Sequence, residues 1–235
     1  MSGHSKWATT KRAKAVVDAK RGAVFTKLAN TITVATREKG GDPDANFSLR
    51  LAIDRAKLAN MPKENIERAI KRGLGEGNSL AIEELIYEGI GPVNSQWVIR
   101  CLTDSKNRSA SSVRHVFSKY NGSMTPVMWN FEKKGVIRTA PKELGDLELE
   151  LIDVGVEDIQ PDAEGIVFYS NMADLKKVKD ALEARGFVIE SADLDYVAKE
   201  TQTLSNPDDL EKINNFIEAL DDLEDVNDYF TNINF

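Results

Sequence analysis

Helical periodicity fills roughly the first third of this chain and then stops, and that change limits the available folds more than any other feature. From Ala23 to Lys39, the residues Val24, Phe25, Leu28, Ile32 and Ala35 fall at helical spacing; Arg37 and Lys39 lie near the C-terminal end and Gly40-Gly41 terminates the helix. Asp42-Pro43-Asp44 is a turn. A second helix, about Asn46 to Asn60, carries Leu49, Ile53 and Ala56 as its apolar stripe. The third opens with Pro62 at a first-turn position and runs through Ile66, Ala69 and Ile70 to Gly73. Three short amphipathic helices specify a small bundle. Residues 2–22 form an arm ahead of it, too polar for a core of its own. The following Gly73-Leu74-Gly75-Glu76-Gly77-Asn78-Ser79 reads as a flexible hinge, because a phosphate-cradling loop would need a preceding strand and a Lys-Ser/Thr ending.

From Trp97 onward the pattern becomes strand–helix–strand. Trp97–Leu102 reads as a strand, Arg108–Tyr120 as a helix with Val113, Phe117 and Tyr120 inward, and Val127–Phe131 as a strand. A second set follows: strand Gly135–Thr139, helix Lys142–Val154, short strand Asp158–Gln160, strand Ile166–Ser170, helix Ala173–Arg185 and strand Phe187–Ala192. That order, βαββαβ, is the split-βαβ or ferredoxin-like plan. Strand Tyr196–Thr201, helix Asp208–Leu223 and strand Val226–Phe230 complete the chain. The expected fold is α+β: a three-helix N-terminal domain (1–75) followed by two ferredoxin-like α/β domains, one (133–194) inserted into the other (80–132 plus 195–235).

Charge follows the same division. Residues 1–72 carry 16 Lys+Arg against 7 Asp+Glu, a net of +9, whereas 73–235 carry 15 against 31, a net of −16. Clustered cations repel one another unless a polyanion neutralises them, so the head reads as a nucleic-acid handle. Within the acidic body, Glu200 to Phe235 holds ten acids and one base, Lys212. This is either a solubilising face or an anionic surface that repels nucleic acid or docks a basic protein partner.

The arm contains the strongest candidate site. Gly3-His4-Ser5-Lys6-Trp7 is followed by Lys11, Arg12, Lys14, Lys20 and Arg21, with Lys27 on the first helix. Cations bind phosphates without reading sequence, and an indole or imidazole face stacks on an unpaired base. The competing arrangement folds Trp7 back onto the bundle. Arg108 and Arg114, on one helix of the body, are secondary phosphate contacts, while Thr103, Asp104 and Ser105 supply capping groups. The Tyr87–Pro92 segment either presents backbone N–H groups to a ligand or serves as a domain-joining turn.

These stretches resemble the YebC/PmpR family. The resemblance is carried by Gly3-His4-Ser5-Lys6-Trp7, Asp18-x-Lys20-Arg21-Gly22 with Phe25-Thr26-Lys27, Gly40-Gly41-Asp42-Pro43 and Met61-Pro62-Lys63 with Ile66-Glu67-Arg68-Ala69-Ile70. It continues through Tyr87-Glu88-Gly89-Ile90-Gly91-Pro92, Thr103-Asp104, Asn107-Arg108, Val113-Arg114 and Phe131-x-x-Lys134-Gly135-Val136-Ile137. It implies a helical N-terminal domain, two α/β domains and no enzymatic activity. Members are described as probable transcriptional regulators that bind DNA; mitochondrial relatives act as translational activators and bacterial members have been linked to the ribosome. Two departures stand out: Ile90 where the family usually has an aromatic, and Asn121-Gly122 in place of a glycine pair.

Little in the chain suits catalysis. His4 and His115 accompany no nucleophile motif, and Glu83-Glu84 read as a helix face rather than an acid/base pair. Cys101, the single cysteine, excludes an internal disulfide and reads as a buried, inert strand residue. No spacing suggests a metal site, and no cofactor is expected. No apolar run approaches the roughly 18–20 residues of a membrane span, so the expectation is a soluble cytoplasmic protein. Its expected role is a non-enzymatic transcriptional regulator binding DNA, or alternatively a ribosome-associated translation factor binding ribosomal RNA. No helix-turn-helix signature with an evident recognition helix is present.

Overall fold

The computed structural model describes residues 17–76, 81–145, 147–162 and 165–234, and side chains of the first helix from residue 22. Three helices come first: α1 (Val17–Lys39), α2 (Phe47–Leu58) and α3 (Lys63–Gly73). Then follow β1 (Glu83–Ile90), β2 (Gln96–Thr103), α4 (Lys106–Lys119), β3 (Phe131–Thr139), α5 (Leu147–Val154), β4 (Val156–Asp162), β5 (Gly165–Ser170) and α6 (Leu175–Ala184). The last elements are β6 (Ile189–Ala198), β7 (Gln202–Thr203), α7 (Pro207–Asp221), β8 (Val226–Thr231) and β9 (Ile233–Asn234). The architecture is α+β, helices first and strand units after.

The three helices close on Ile32, Leu49, Ala52, Ile53, Ala56, Ile66 and Ala69. Gly40, at φ +90, turns the chain out of α1. Asn46 then fixes the next entry: its Nδ2 donates to Ala35 and Gly40 carbonyls at 2.8 Å each, while its Oδ1 caps α2 by accepting from Leu49 N at 3.1 Å. At Gly73 a Cβ would lie 2.5 Å from Thr36 Cβ and 2.6 Å from Thr33 O, so α3 approaches α1 closely only because this residue has no side chain. α1 starts ahead of the expected Ala23 because the Ala, Lys and Arg residues there propagate a helix without needing an apolar stripe.

Two sheets form the body. The four-stranded sheet has the order β4-β5-β3-β6, every neighbouring pair antiparallel. Helices α5 and α6 cover one face through Leu151, Leu175, Val178 and Leu182, packed on Ile137 and Phe168. This is the strand order of the split-βαβ plan. The three-stranded sheet, β1-β2-β8, pairs β2 with a strand that follows β6 in the chain, with Val98 opposite Phe230. Helices α4 and α7 pack on it through Val113, Phe117, Ile213 and Phe216. Phe216 sits at the centre, edge-on to Trp97 (5.0 Å) and Phe117 (5.3 Å). A short parallel pair, β7 with β9, lies beyond it.

Several sequence expectations change. Glu83 and Glu84 lie on strand β1, not on a helix face. Val127–Phe131 is not a strand: Met128–Asn130 is a single 3-10 turn, and the strand starts at Phe131 and runs unbroken to Thr139. Likewise, Phe187–Ala192 and Tyr196–Thr201 fuse into β6. The polar residues Glu132, Lys133, Lys134, Asp193 and Asp195 interrupt the apolar pattern without interrupting the ladder, since Lys134 pairs with Asp195 and Lys133 with Tyr196. Helix Lys142–Val154 shortens to α5, its first residues being irregular.

Candidate nucleic-acid interface

The head is built onto both sheets rather than hung from them. From α1, Lys27 Nζ donates to the Asp221 carbonyl at 2.8 Å, Thr31 Oγ1 to Asn227 Oδ1 at 3.1 Å, and Arg37 to the Ile82 carbonyl. Val34 packs with Ile82 and Leu102, and from α2 Phe47 and Leu51 reach the core of the four-stranded sheet. At the centre of this seam, Arg55 of α2 reaches Asp193 of β6 (3.4 Å) and Asp228 of β8 (3.2 Å). Arg100 of β2 donates Nε–H to the same Asp228 at 3.0 Å, and Asn227 Nδ2 adds a third donor at 2.5 Å. One guanidinium therefore ties the helical unit to both sheets at once.

This seam is partly dry, with the Arg55 side chain 24% exposed, Asp193 20% and Asp228 6%. Burial raises the Asp193 carboxyl, and nearby Asp195 and Asp228 add to the effect; although Arg55 opposes them, the pKa reaches about 6. Arg55 is likewise pushed above its ordinary value, chiefly by Asp193. Removing one member of such a group leaves the others charged and uncompensated.

His4, Lys6, Trp7, Lys11, Arg12 and Lys14 lie outside the described residues. Lys20 and Arg21 fall on the backbone of α1, in its opening turns. Past Gly22, Ala23 and Val24, all exposed, the helix settles onto the body. Lys27 is engaged at the C-terminal end of α7, where the helix dipole favours a cation. Arg108 lies between two carboxylates, donating Nε–H and Nη2–H to Asp225 (3.0 and 2.7 Å) and Nη2–H to Asp104 (2.8 Å). Two acids around one base leave that spot anionic, which disfavours phosphate. Arg114 is exposed on α4 and makes no ion pair among the described residues. The expected capping also differs: Ser105 occupies the N-cap of α4 without a side-chain cap bond, and Thr103 Oγ1 instead accepts from Ser105 N at 3.0 Å.

Lys39, Lys57, Arg68 and Lys71 are head cations outside the candidate site read from the sequence. All are exposed, and none makes an ion pair among the described residues. Arg68 and Lys71, three residues apart, share one face of α3 away from buried Ile66 and Ala69. That helical spacing was legible; the density of charge in the arm outweighed it.

Residues 5–76 match the family described as TACO1/YebC protein N-terminal domain, and residues 82–233 match TACO1/YebC second and third domain. The chain belongs to the TACO1/YebC family. A relative from Thermotoga petrophila, named probable transcriptional regulatory protein, is 44% identical over 99% of this chain and 93% of its own length. A relative of the same description from Chloroflexus aggregans is 45% identical, covering 99% and 95%. The crystal structure of a conserved hypothetical protein from Aquifex aeolicus superposes with a TM-score of 0.83 at 42% identity, over 94% of this chain and 93% of that one.

In this TACO1/YebC chain the Tyr87–Pro92 segment is the end of β1 and a tight turn. Ile90 N donates to Ser123 O (2.9 Å), Gly91 N to Ser95 O (2.7 Å) and Ser95 N to Pro92 O (3.0 Å). These amides are satisfied internally, which gives the turn rather than an anion cradle. Val93 pays for the tightness at φ +59, a left-handed conformation unfavourable for a β-branched residue. The Glu88 carboxylate accepts from Val127 N and Met128 N at 2.7 Å each, fixing the 3-10 turn that carries Trp129. Cys101 is fully buried, and that burial pushes its thiol up to about 11, so it is no nucleophile near neutrality. Among the described residues, no group of His, Cys, Asp and Glu is placed to hold a metal ion, and no helix is long and apolar enough to cross a membrane.

Proposed function

We propose that this protein is a non-enzymatic regulator of gene expression that binds nucleic acid through its basic N-terminal unit, with DNA at a regulated gene as the leading target. The observation that carries this reading is the segregation of charge, a net of +9 before residue 73 and −16 after it. Lys39, Lys57, Arg68 and Lys71, exposed and without ion pairs among the described residues, extend the arm's cations onto the bundle, while the body's Arg108 is neutralised by its own carboxylates. The names of the relatives support a regulatory role in transcription. The seam through Arg55 gives the head a set orientation on the body.

A second reading is a ribosome-associated translation factor on ribosomal RNA. One observation favours it: Trp129 stands 64% exposed on a fixed turn, and an exposed indole suits unpaired bases better than duplex DNA. Crosslinking the tagged protein in cells and sequencing the recovered RNA and DNA separates the two. Crosslinks at a few DNA loci that survive RNase establish the first; crosslinks concentrated in ribosomal RNA establish the second. In vitro, neutralising Lys11, Arg12 and Lys14 together flattens the salt dependence of binding, by about 0.9 in slope per lost duplex phosphate contact. An unchanged slope moves the site off the arm.

A further inference from the structure

Trp129 is the largest exposed aromatic among the described residues, and the turn that holds it is over-determined. Glu88 fixes it from one side. On the other, Asn130, only 2% exposed, donates Nδ2–H to Gln96 Oε1 (2.7 Å) and Glu200 O (2.9 Å) and accepts from Glu200 N at Oδ1 (2.8 Å). The main chain joins in, Lys199 N donating to Asn130 O at 2.7 Å. Such bonding positions a side chain; it does not need to expose an indole. The remaining exposed large apolar residues lie on the head (Val24, Leu58, Leu74) or on and beside α5 and α6 (Leu149, Ile152, Met172, Val188), so Trp129 is not the edge of an apolar patch.

Its neighbour is a cation and a polar cleft. Lys199, exposed, extends Nζ toward the Trp129 carbonyl at 3.5 Å. Lys199 is also part of the rim of a cleft of about 340 Å3 on the strands of the four-stranded sheet, lined by Glu132, Lys134, Asp158, Gln160 and Tyr169 among others. That volume is within the roughly 300–1,000 Å3 of small-molecule sites. Lys134 is already paired with Glu157 (3.1 Å). Gln160 donates Nε2–H to Asp158 at 2.7 Å, while its Oε1 is buried and has no hydrogen-bond partner among the described residues. The cleft therefore offers acceptors and negative charge, with exposed Lys199 beside them making no ion pair among the described residues.

Resting on the nucleic-acid reading above, we propose that this surface binds an unpaired segment of nucleic acid at a second site on the body: Trp129 stacks on one base, Lys199 takes the adjoining phosphate, and the cleft receives the edge of the next base. The acceptors in the cleft repel phosphate and carbonyl oxygens and accept from exocyclic amino groups. The site therefore selects adenine and cytosine over uracil or thymine. Losing the indole costs roughly tenfold in affinity, about 1.4 kcal/mol.

The test is fluorescence anisotropy of the full chain on labelled single-stranded A, C and U homo-oligomers of RNA, their DNA counterparts, and a mixed duplex. Expected are an A and C preference over U, a roughly tenfold loss on single strands and less than twofold on duplex for Trp129→Ala, and near-complete rescue by Trp129→Phe. Gln160→Leu should erase the base preference while leaving duplex binding intact. Thermal midpoints show that each variant is folded, and comparing RNA with DNA oligomers tells which backbone is the source. If the unaltered protein binds none of these probes, the nucleic-acid reading itself falls. If it binds them but Trp129→Ala leaves single-strand affinity unchanged, or weakens duplex equally, the turn belongs to a protein partner or to packing and this proposal alone is overturned.

Discussion

Arg55 and Arg68 sit on neighbouring helices of the same basic head, yet they face opposite demands. Arg55 is three-quarters buried and shared between Asp193 and Asp228, carboxylates contributed by two different sheets. Arg68 is exposed on α3 with no ion pair among the described residues. The difference separates two uses of positive charge that composition merges: one set fixes the head on the body, the other remains free for an external polyanion. A net charge of +9 therefore overstates what a phosphate backbone meets, since Lys27 and Arg55 are committed inward.

The sharpest way to break this comparison is to remove Arg55. Arg55→Ala should destabilise by about 3 kcal/mol, the lower end for breaking a buried pair because part of the side chain is hydrated. Urea denaturation measures it, and a loss within 0.5 kcal/mol would return Arg55 to the free set. Next, Asp193 gives the seam a pH signature. A carboxyl raised to about 6 when folded, against about 3.9 unfolded, keeps its proton longer in the native state, so its contribution to stability falls as pH rises from about 4 to 6. Asp193→Asn should remove that downward component, seen as the difference between the two stability–pH curves. Smallest in stability is the double change Arg68→Ala, Lys71→Ala, expected within about 0.5 kcal/mol of the parent. The same variant should lower the salt slope of nucleic-acid binding by up to about 2. An unaltered slope would confine the interface to the arm.

What could be read from the sequence was local. The stripes Leu49-Ile53-Ala56 and Ile66-Ala69 are buried as expected, because helical spacing and tertiary burial agree there. Trp97–Leu102 is a buried strand as expected, its short apolar run lying in the core. β1 escaped because Glu83, Glu84 and Glu88 place acids on both of its faces, which hides the alternation of a strand. A strand over Val127–Phe131 would set Trp129 and Phe131 on one face; the carboxylate of Glu88, 39 residues before Val127, instead bends that stretch into a turn. The seam could not be read at all, since Arg55 meets partners 138 and 173 residues away and no periodicity links them. Likewise, the roles of Lys27 and Arg108 depend on acids brought to them by the fold.

The pairing of β2 with β8 bears on how the chain is made. β2 emerges from synthesis well before β8, and its antiparallel partner along Trp97 to Cys101 is supplied only by Val226 to Thr231. By then every strand of the β4-β5-β3-β6 sheet has been available for pairing. Since domains fold as their chain becomes available, the four-stranded sheet matures first and the Trp97–Phe216 core closes last. Throughout that interval β2 has only β1 beside it and keeps one edge open. A nascent chain of this protein therefore depends on timely completion more than its compact four-stranded unit alone would suggest.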